Sequence, residues 1–256
     1  MTSTALHPTQ TRPVGRRLLE FSASSERYHV RLAETRDEIR AAQTLRFLTF
    51  NLEQNHDSGD AFATFLDSDP FDAQCDHLIA EDTSTNEIIG TYRLQTGLTA
   101  QRALGYYAAQ RFDLSPLEPF RGEIIEAGRA CVRRDHRHRN ILGRLWKALL
   151  NYASARDARY LIGSSSLTTT NPNFGARAYL QLQSHLAPIP FRSVPLSDCV
   201  CDLSQPISGP VRLPGLLLAY LSLGAKVCSP PAIDRHFNQT VIFLTMLDLR
   251  ALSARA

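Results

Sequence analysis

Glu126 is the lone carboxylate in an otherwise mostly apolar run, IIEAGRACV, at residues 124–132. An acid with apolar neighbours is poorly solvated, so its pKa is expected to rise. Such a group is either paired or kept for proton transfer. Arg129 comes within its reach if Gly128 makes a bulge that turns both side chains to one side of a strand. A plain buried ion pair between the two is the structural alternative. Arg133, Arg134, His136, Arg137, His138 and Arg139 follow directly. Next comes an apolar stripe at helical spacing, Ile141, Leu145, Ala148, Leu149 and Tyr152, with Arg144 and Lys147 left outside it. A strand, a basic turn and a helix N-terminus with unsatisfied N–H groups form a natural anion site. The expected chemistry is proton removal at Glu126 beside a bound anionic ligand. No metal is expected, because arginines flank His136-x-His138 and a lone Cys199-x-Cys201 supplies too few ligands.

The rest of the chain must build the sheet around this strand. Residues 1–26 are polar, with Pro8, Pro13 and Gly15, and read as a mobile arm. Within it Arg12, Arg16 and Arg17 beside Leu18, Leu19 and Phe21 could rest on an anionic bilayer, a solvated tail being the alternative. Residues 27–256 read as one domain. Strands are expected at 28–32, 77–80, 88–94, 123–132, 159–165 and 241–247, and helices at 34–52, 141–152, 174–184 and 213–223. The acidic stretch 53–76 is irregular, with Gly59 and Pro70, and reads as a lid over a cation or as a solvated loop. The pattern is α+β, a mixed central sheet flanked by helices on both faces.

Composition narrows the function classes. Net charge is only +3 and hydrophobic content 43%, ordinary for a globular protein. The basic run has no interleaved aromatic platform, which argues against nucleic acid. Five cysteines without framework spacing and a polar N-terminus point to reduced thiols in the cytoplasm. No run approaches the ~18 apolar residues of a membrane-spanning helix.

The motifs resemble one family. Arg137-His-Arg-Asn140-Ile-Leu142-Gly143 stands where the GNAT acyltransferases carry R-x-x-G-x-G/A, with both usual glycines replaced by Asn140 and Leu142. Together with YHVRLAETRDEIRAAQTLRFLTF, FDAQCDHLIAED, IIGTYRLQ, GYYAAQRFDLSPL, EAGRACV and LPGLLLAYLSLGAKVCSPPAIDRHFN, it resembles the acyl-carrier-protein branch of that superfamily over most of residues 28–249. That branch includes the L-ornithine Nα-acyltransferases and hemolysin-like acyltransferases and is similar to acyl-homoserine lactone synthases. The resemblance implies a GNAT fold and attack of an amine on a (3-hydroxy) fatty acyl thioester of acyl carrier protein. The acceptor it implies is an amino acid such as ornithine, giving a lyso-ornithine lipid. It carries Arg46, Phe50, Asp76, Arg93, Glu126 and Arg129 into the acceptor pocket, with Glu126 and Arg129 at the chemistry. Glu53, Asp57, Asp72 or Asp76 could meet ornithine's second cation, with glycine or another amino acid as the alternative acceptor.

The lost glycines disfavour a coenzyme A diphosphate and favour a phosphopantetheine arm. Arg133, Arg134, Arg137, Arg139 and Arg144 would then dock an acidic carrier protein, with no other cofactor. Arg111 stands where the ornithine branch tends to have an acid. Tyr179 misses the superfamily's acid-tyrosine spacing by one. Two rivals remain. His77-x-x-x-x-Asp82 matches the motif of glycerolipid acyltransferases acting on lysophospholipids, and a GNAT-like domain could bind a carrier protein or membrane without catalysis.

Overall fold

The computed structural model describes residues 27–53, 59–235, 237 and 239–253; the expected N-terminal arm lies outside them. The chain opens with β1 (Tyr28–Leu32) and α1 (Arg36–Phe47). Thr35 caps α1 reciprocally with Glu38, whose carboxylate accepts the Thr35 N–H. The helix runs on into a π-helical turn, Leu48–Glu53. Next come α2 (Gly59–Thr64), a 3₁₀ turn at Pro70–Ala73, and the hairpin of β2 (Asp76–Asp82) and β3 (Glu87–Thr96). Then α3 (Gly97–Arg102) and 3₁₀ segments at Tyr107–Gln110 and Ser115–Glu123 lead into β4 (Ile124–Val132). The basic turn is itself 3₁₀, Arg134–Arg139, and feeds α4 (Ile141–Ser154). β5 (Tyr160–Ser166), α5 (Pro172–Gln181), α6 (Gly215–Ser222), β6 (Lys226–Val227), β7 (Ala232–Asp234), β8 (Thr240–Asp248) and α7 (Leu249–Ser253) complete it.

One eight-stranded sheet runs β1-β2-β3-β4-β5-β8-β6, with β7 also paired to β8. The period-2 alternation of β2 splits the core into two layers. Leu78 and Ala80 pack with Ile141, Leu145 and Leu149 of α4, while Ile79 packs with Ala42 of α1. Helices therefore cover both faces, and β8 is buried almost throughout, as its apolar sequence requires.

Strand pairing at the centre makes room for a site. β4 and β5 are parallel, yet they pair only from Ile124↔Tyr160 to Glu126↔Ile162. Beyond that point β4 continues along β3 and β5 along β8. The two strands thus part into a wedge just past Glu126. Gly163 sits at its crotch, where a Cβ would come within 2.5 Å of the Ala127 carbonyl oxygen. Only glycine lets the backbones meet there before they part.

Candidate active site

Glu126 is the last paired residue of β4 before the wedge and is buried. Its Oε2 accepts hydrogen bonds from Gln95 Nε2 at 2.6 Å and the Tyr107 N–H at 2.7 Å; its Oε1 accepts the Ala108 N–H at 2.7 Å. Burial pushes its pKa up against these three donors, which favour the ion. The alternative of a plain Glu126–Arg129 ion pair is not what the structure shows: Arg129 pairs with Asp67 and Asp69 instead. The hydrogen-bond partners of the Glu126 carboxylate are uncharged, two of them N–H groups at the start of the Tyr107–Gln110 turn, and its raised pKa suits proton transfer.

Arg129 reaches the site through a bulge. Gly128 faces Arg93 and Cys131 faces Thr91, so β4 carries one residue more than β3 across this interval. The strain sits on Arg129 itself, at φ +52°, rather than on Gly128. Its guanidinium contacts Asp67 at 3.1 Å and Asp69 at 3.4 Å. It lies 4.9 Å over the Tyr107 ring and 5.1 Å over Phe237.

The acidic stretch is neither lid nor solvated loop where the structure describes it. Arg46, fully buried, holds Asp72 with two bonds of 2.9 and 2.7 Å and lies 2.9 Å from Asp67. Arg93 contacts Asp69 at 2.6 Å and Asp72 at 2.8 Å. Burial opposes ionisation of Asp72, but Arg46 and Arg93 outweigh it and hold the carboxyl well below the usual range. Three arginines of α1, β3 and β4 are thus neutralised by three aspartates of one loop. Asp72, expected to meet a second cation, has both carboxylate oxygens bonded to arginines of this network. Asp57 lies outside the described residues, and Glu53 accepts from Arg137 at 2.7 Å.

A pocket of ≈ 280 Å³ fills the wedge. Glu126, Arg93, Arg129, Tyr107 and Asp234 give it a polar end, with Phe50 beside them, edge-on to Phe237 at 5.5 Å. Leu161, Trp146, Leu216, Tyr220 and Leu247 give it an apolar end. There Tyr92 and Tyr220 place their hydroxyls 2.5 Å apart. Of the expected acceptor residues, Arg93, Phe50, Glu126 and Arg129 converge on this pocket, and Arg46 supports it from behind. Asp76 does not line it: its carboxylate accepts from Tyr152 at 2.8 Å and lies 3.4 Å from Arg156.

Among the pocket residues that sequence reasoning did not single out are Tyr107 and Asp234, both set against arginines. Tyr107 is ringed by guanidiniums, with Arg111 at 4.4 Å, Arg129 at 4.9 Å and Arg93 at 5.1 Å from its centroid. Arg111, fully buried, donates to the Tyr107 hydroxyl at 3.1 Å and pairs with Asp234 at 2.7 Å. The only signal for Tyr107 was its place in the GYYAAQRF motif; the acid that matches Arg111 comes from β7, far along the chain.

The basic turn divides in two. Arg133 pairs with Glu87 and Asp135, each at 2.9 Å, and Arg137 with Glu53. His136 is buried between Asp135 at 2.9 Å and Asp82 at 3.2 Å, which gives it a structural place. Arg134 and Arg139 are exposed, and Arg144 is half-buried rather than exposed. Asn140 enters α4 at φ +55°, with its Oδ1 so close to Gly143 that a Cβ there would meet it at 2.4 Å. His77 and Asp82 do not meet: His77 bonds the Asp72 carbonyl on one side of β2, and Asp82 holds Arg27 and His136 at its far end. Nothing joins them into the dyad of a glycerolipid acyltransferase.

Residues 45–147 match the acetyltransferase (GNAT) domain family. The L-ornithine N(alpha)-acyltransferase of Rhodobacter capsulatus is 32% identical over 248 residues, spanning 92% of this chain and 95% of that protein. That of Brucella abortus is 31% identical over 242 residues, spanning 88% and 86%. FeeM, an N-acyl amino acid synthase from uncultured soil microbes, shares the fold with a TM-score of 0.50 at 14% identity, over 90% of this chain and 96% of its own. A mixed sheet opened between parallel β4 and β5, a carboxylate at the opening and relatives aligned nearly end to end lead to one conclusion: the chain is a GNAT acyltransferase and belongs to the L-ornithine Nα-acyltransferase family.

Proposed function

We propose that this enzyme transfers a (3-hydroxy) fatty acyl group from the thioester of acyl carrier protein to the α-amine of ornithine, giving a lyso-ornithine lipid and free carrier thiol. The observation that carries this reading is the wedge pocket, polar around Glu126 and apolar toward Tyr220, which suits an amine at one end and an acyl chain at the other. The acceptor follows the relatives from Rhodobacter capsulatus and Brucella abortus, both L-ornithine N(alpha)-acyltransferases.

The amine nitrogen attacks the thioester carbonyl, the C–N bond forms and the C–S bond breaks. One ammonium proton leaves before attack and a second as the amide forms, while the departing thiolate takes up one proton. An α-amine near pKa ~8 needs little help at neutral pH, whereas a side-chain amine near ~10.4 needs much more. Glu126, with a carboxyl pKa raised by burial, is matched to the first task and accepts the proton, directly or through water. Arg129, on the pocket wall, meets the acceptor's carboxylate, and the bulged backbone at Arg129–Ala130 offers N–H groups to the developing oxyanion. Arg134, Arg139 and Arg144 at the mouth of α4 receive the carrier protein's acidic surface and the single phosphate of its arm.

The test is release of carrier thiol. Acyl carrier protein loaded with a 3-hydroxyacyl chain should release thiol when ornithine is added, with a product of the mass of N-acylornithine. Binding of the loaded carrier without amine-dependent release would reduce the protein to a carrier-binding domain. Release with glycine but not ornithine would change the acceptor.

A further inference from the structure

Helix α6 presents an apolar face on both sides. Leu217 and Leu221 are buried in the core beneath it, and Pro214, Leu216, Leu217 and Tyr220 wall the apolar end of the pocket. Its outward stripe at helical spacing is Gly215, Leu218, Ala219, Ser222 and Leu223, all exposed, with Leu218 at 48% and Leu223 at 38%. A surface helix ordinarily puts charge on that stripe; here it has none. From 203 to 233 the sequence contains no Asp or Glu. Its cations, Arg212 and Lys226, stand just before and just after the helix, Arg212 exposed and Lys226 half-buried.

A short apolar ridge flanked by cations, in a long stretch without an acid, complements an anionic lipid surface. A protein partner of acidic character would find too few cations here, and the exposed arginines that suit one lie at the basic turn. We propose that the outward stripe of α6 is a docking surface for an anionic bilayer, resting the helix that walls the acyl end of the pocket against the membrane. This deepens the reading above, on which the product is a lipid: the bilayer would receive the acylated product at the end of the pocket that holds its chain.

The test uses the full chain with vesicles of phosphatidylcholine alone or mixed with phosphatidylglycerol, read by co-sedimentation. The wild type should partition onto the mixed vesicles and far less onto phosphatidylcholine. Leu218→Ser with Leu223→Ser should weaken that partition by about tenfold, as loss of two partly inserted leucines implies. Arg212→Gln with Lys226→Gln should weaken it by a similar factor and flatten its salt dependence. Thiol release from soluble acyl carrier protein should be unchanged in the leucine variant, because neither residue lines the pocket. Equal partition of the leucine variant and the wild type, or no partition of the wild type, overturns the proposal. So does conversion of a wild-type dimer to a monomer by the leucine substitutions with vesicle binding intact, which would assign the stripe to a second copy. A wild type that releases no carrier thiol with any amine would instead defeat the functional reading, whatever the vesicles show.

Discussion

Glu126 shows how one side chain's surroundings set its task. Its oxygens are held by Gln95 and by the Tyr107 and Ala108 N–H groups, none of them charged, while burial pushes its pKa up. In the window between its unfolded and folded pKa values the unfolded chain binds fewer protons, so ionising Glu126 costs stability as the pH rises through it. A group kept at such a cost fits proton transfer better than structure. Glu126→Gln is expected to lower kcat on the order of 10²-fold while the protein stays folded. The amide also turns an NH₂ toward one backbone donor, at about 1–3 kcal/mol. Stopped-flow thiol release with thermal unfolding in parallel checks both, and wild-type turnover in the variant would remove Glu126 from the base role. Glu126 was legible in the sequence because it is the lone acid in its apolar run. Tyr107 and Asp234 were not, because an aromatic in a short 3₁₀ turn and an acid at the end of a three-residue strand gain meaning only from the arginines that the fold sets against them.

At the scale of elements, the loop between α1 and β2 acts as a clamp. Asp67, Asp69 and Asp72 reach arginines from three separate elements, so the loop ties α1 to the middle of the sheet behind the pocket. Removing one partner leaves a desolvated guanidinium. Asp72→Asn should therefore cost about 3–5 kcal/mol at pH 7, read by urea unfolding. Because Arg46 and Arg93 hold the Asp72 carboxyl below its ordinary value, its contribution is full above the unfolded pKa of about 3.9 and fades as the pH falls through the folded value. The gap between wild type and Asp72→Asn should narrow below about pH 4; a constant gap would mean that the charge of Asp72 is not what stabilises the loop. Sequence reasoning located six of the eight described strands, β1 and β8 among them because their patterns are plain, and missed β6 and β7, which are two and three residues long. It offered only a lid or a solvated loop for the acidic stretch, because composition cannot tell a solvated carboxylate from one that will find a buried arginine.

For the whole molecule, the arrangement of charge matters more than its total. The net charge is only +3, and much of the arginine excess is cancelled internally. Arg133 and Arg137 are partly spent on Glu87, Asp135 and Glu53. The exposed Arg134 and Arg139 are therefore the ones expected to meet a carrier protein. Arg134→Ala with Arg139→Ala should raise the KM for the acyl carrier thioester about tenfold and leave kcat nearly unchanged, since exposed charges steer encounter rather than chemistry. The wild-type KM should rise with ionic strength, and a double variant with an unchanged KM would move the dock elsewhere.

The sequence alone determined the class of this protein. The order of strand, basic turn and helix, the lone Glu126 and the six motifs are local or order-dependent features, and local chemistry survives in one dimension. Only the tertiary structure decided which charges remain available. Asp72 and Asp76 read alike along the chain, yet one is locked to buried arginines and the other to Tyr152 and Arg156 away from the pocket. The partner that neutralises a buried charge can come from any distance along the sequence, and burial, which sets how costly that charge is, exists only once the chain has folded.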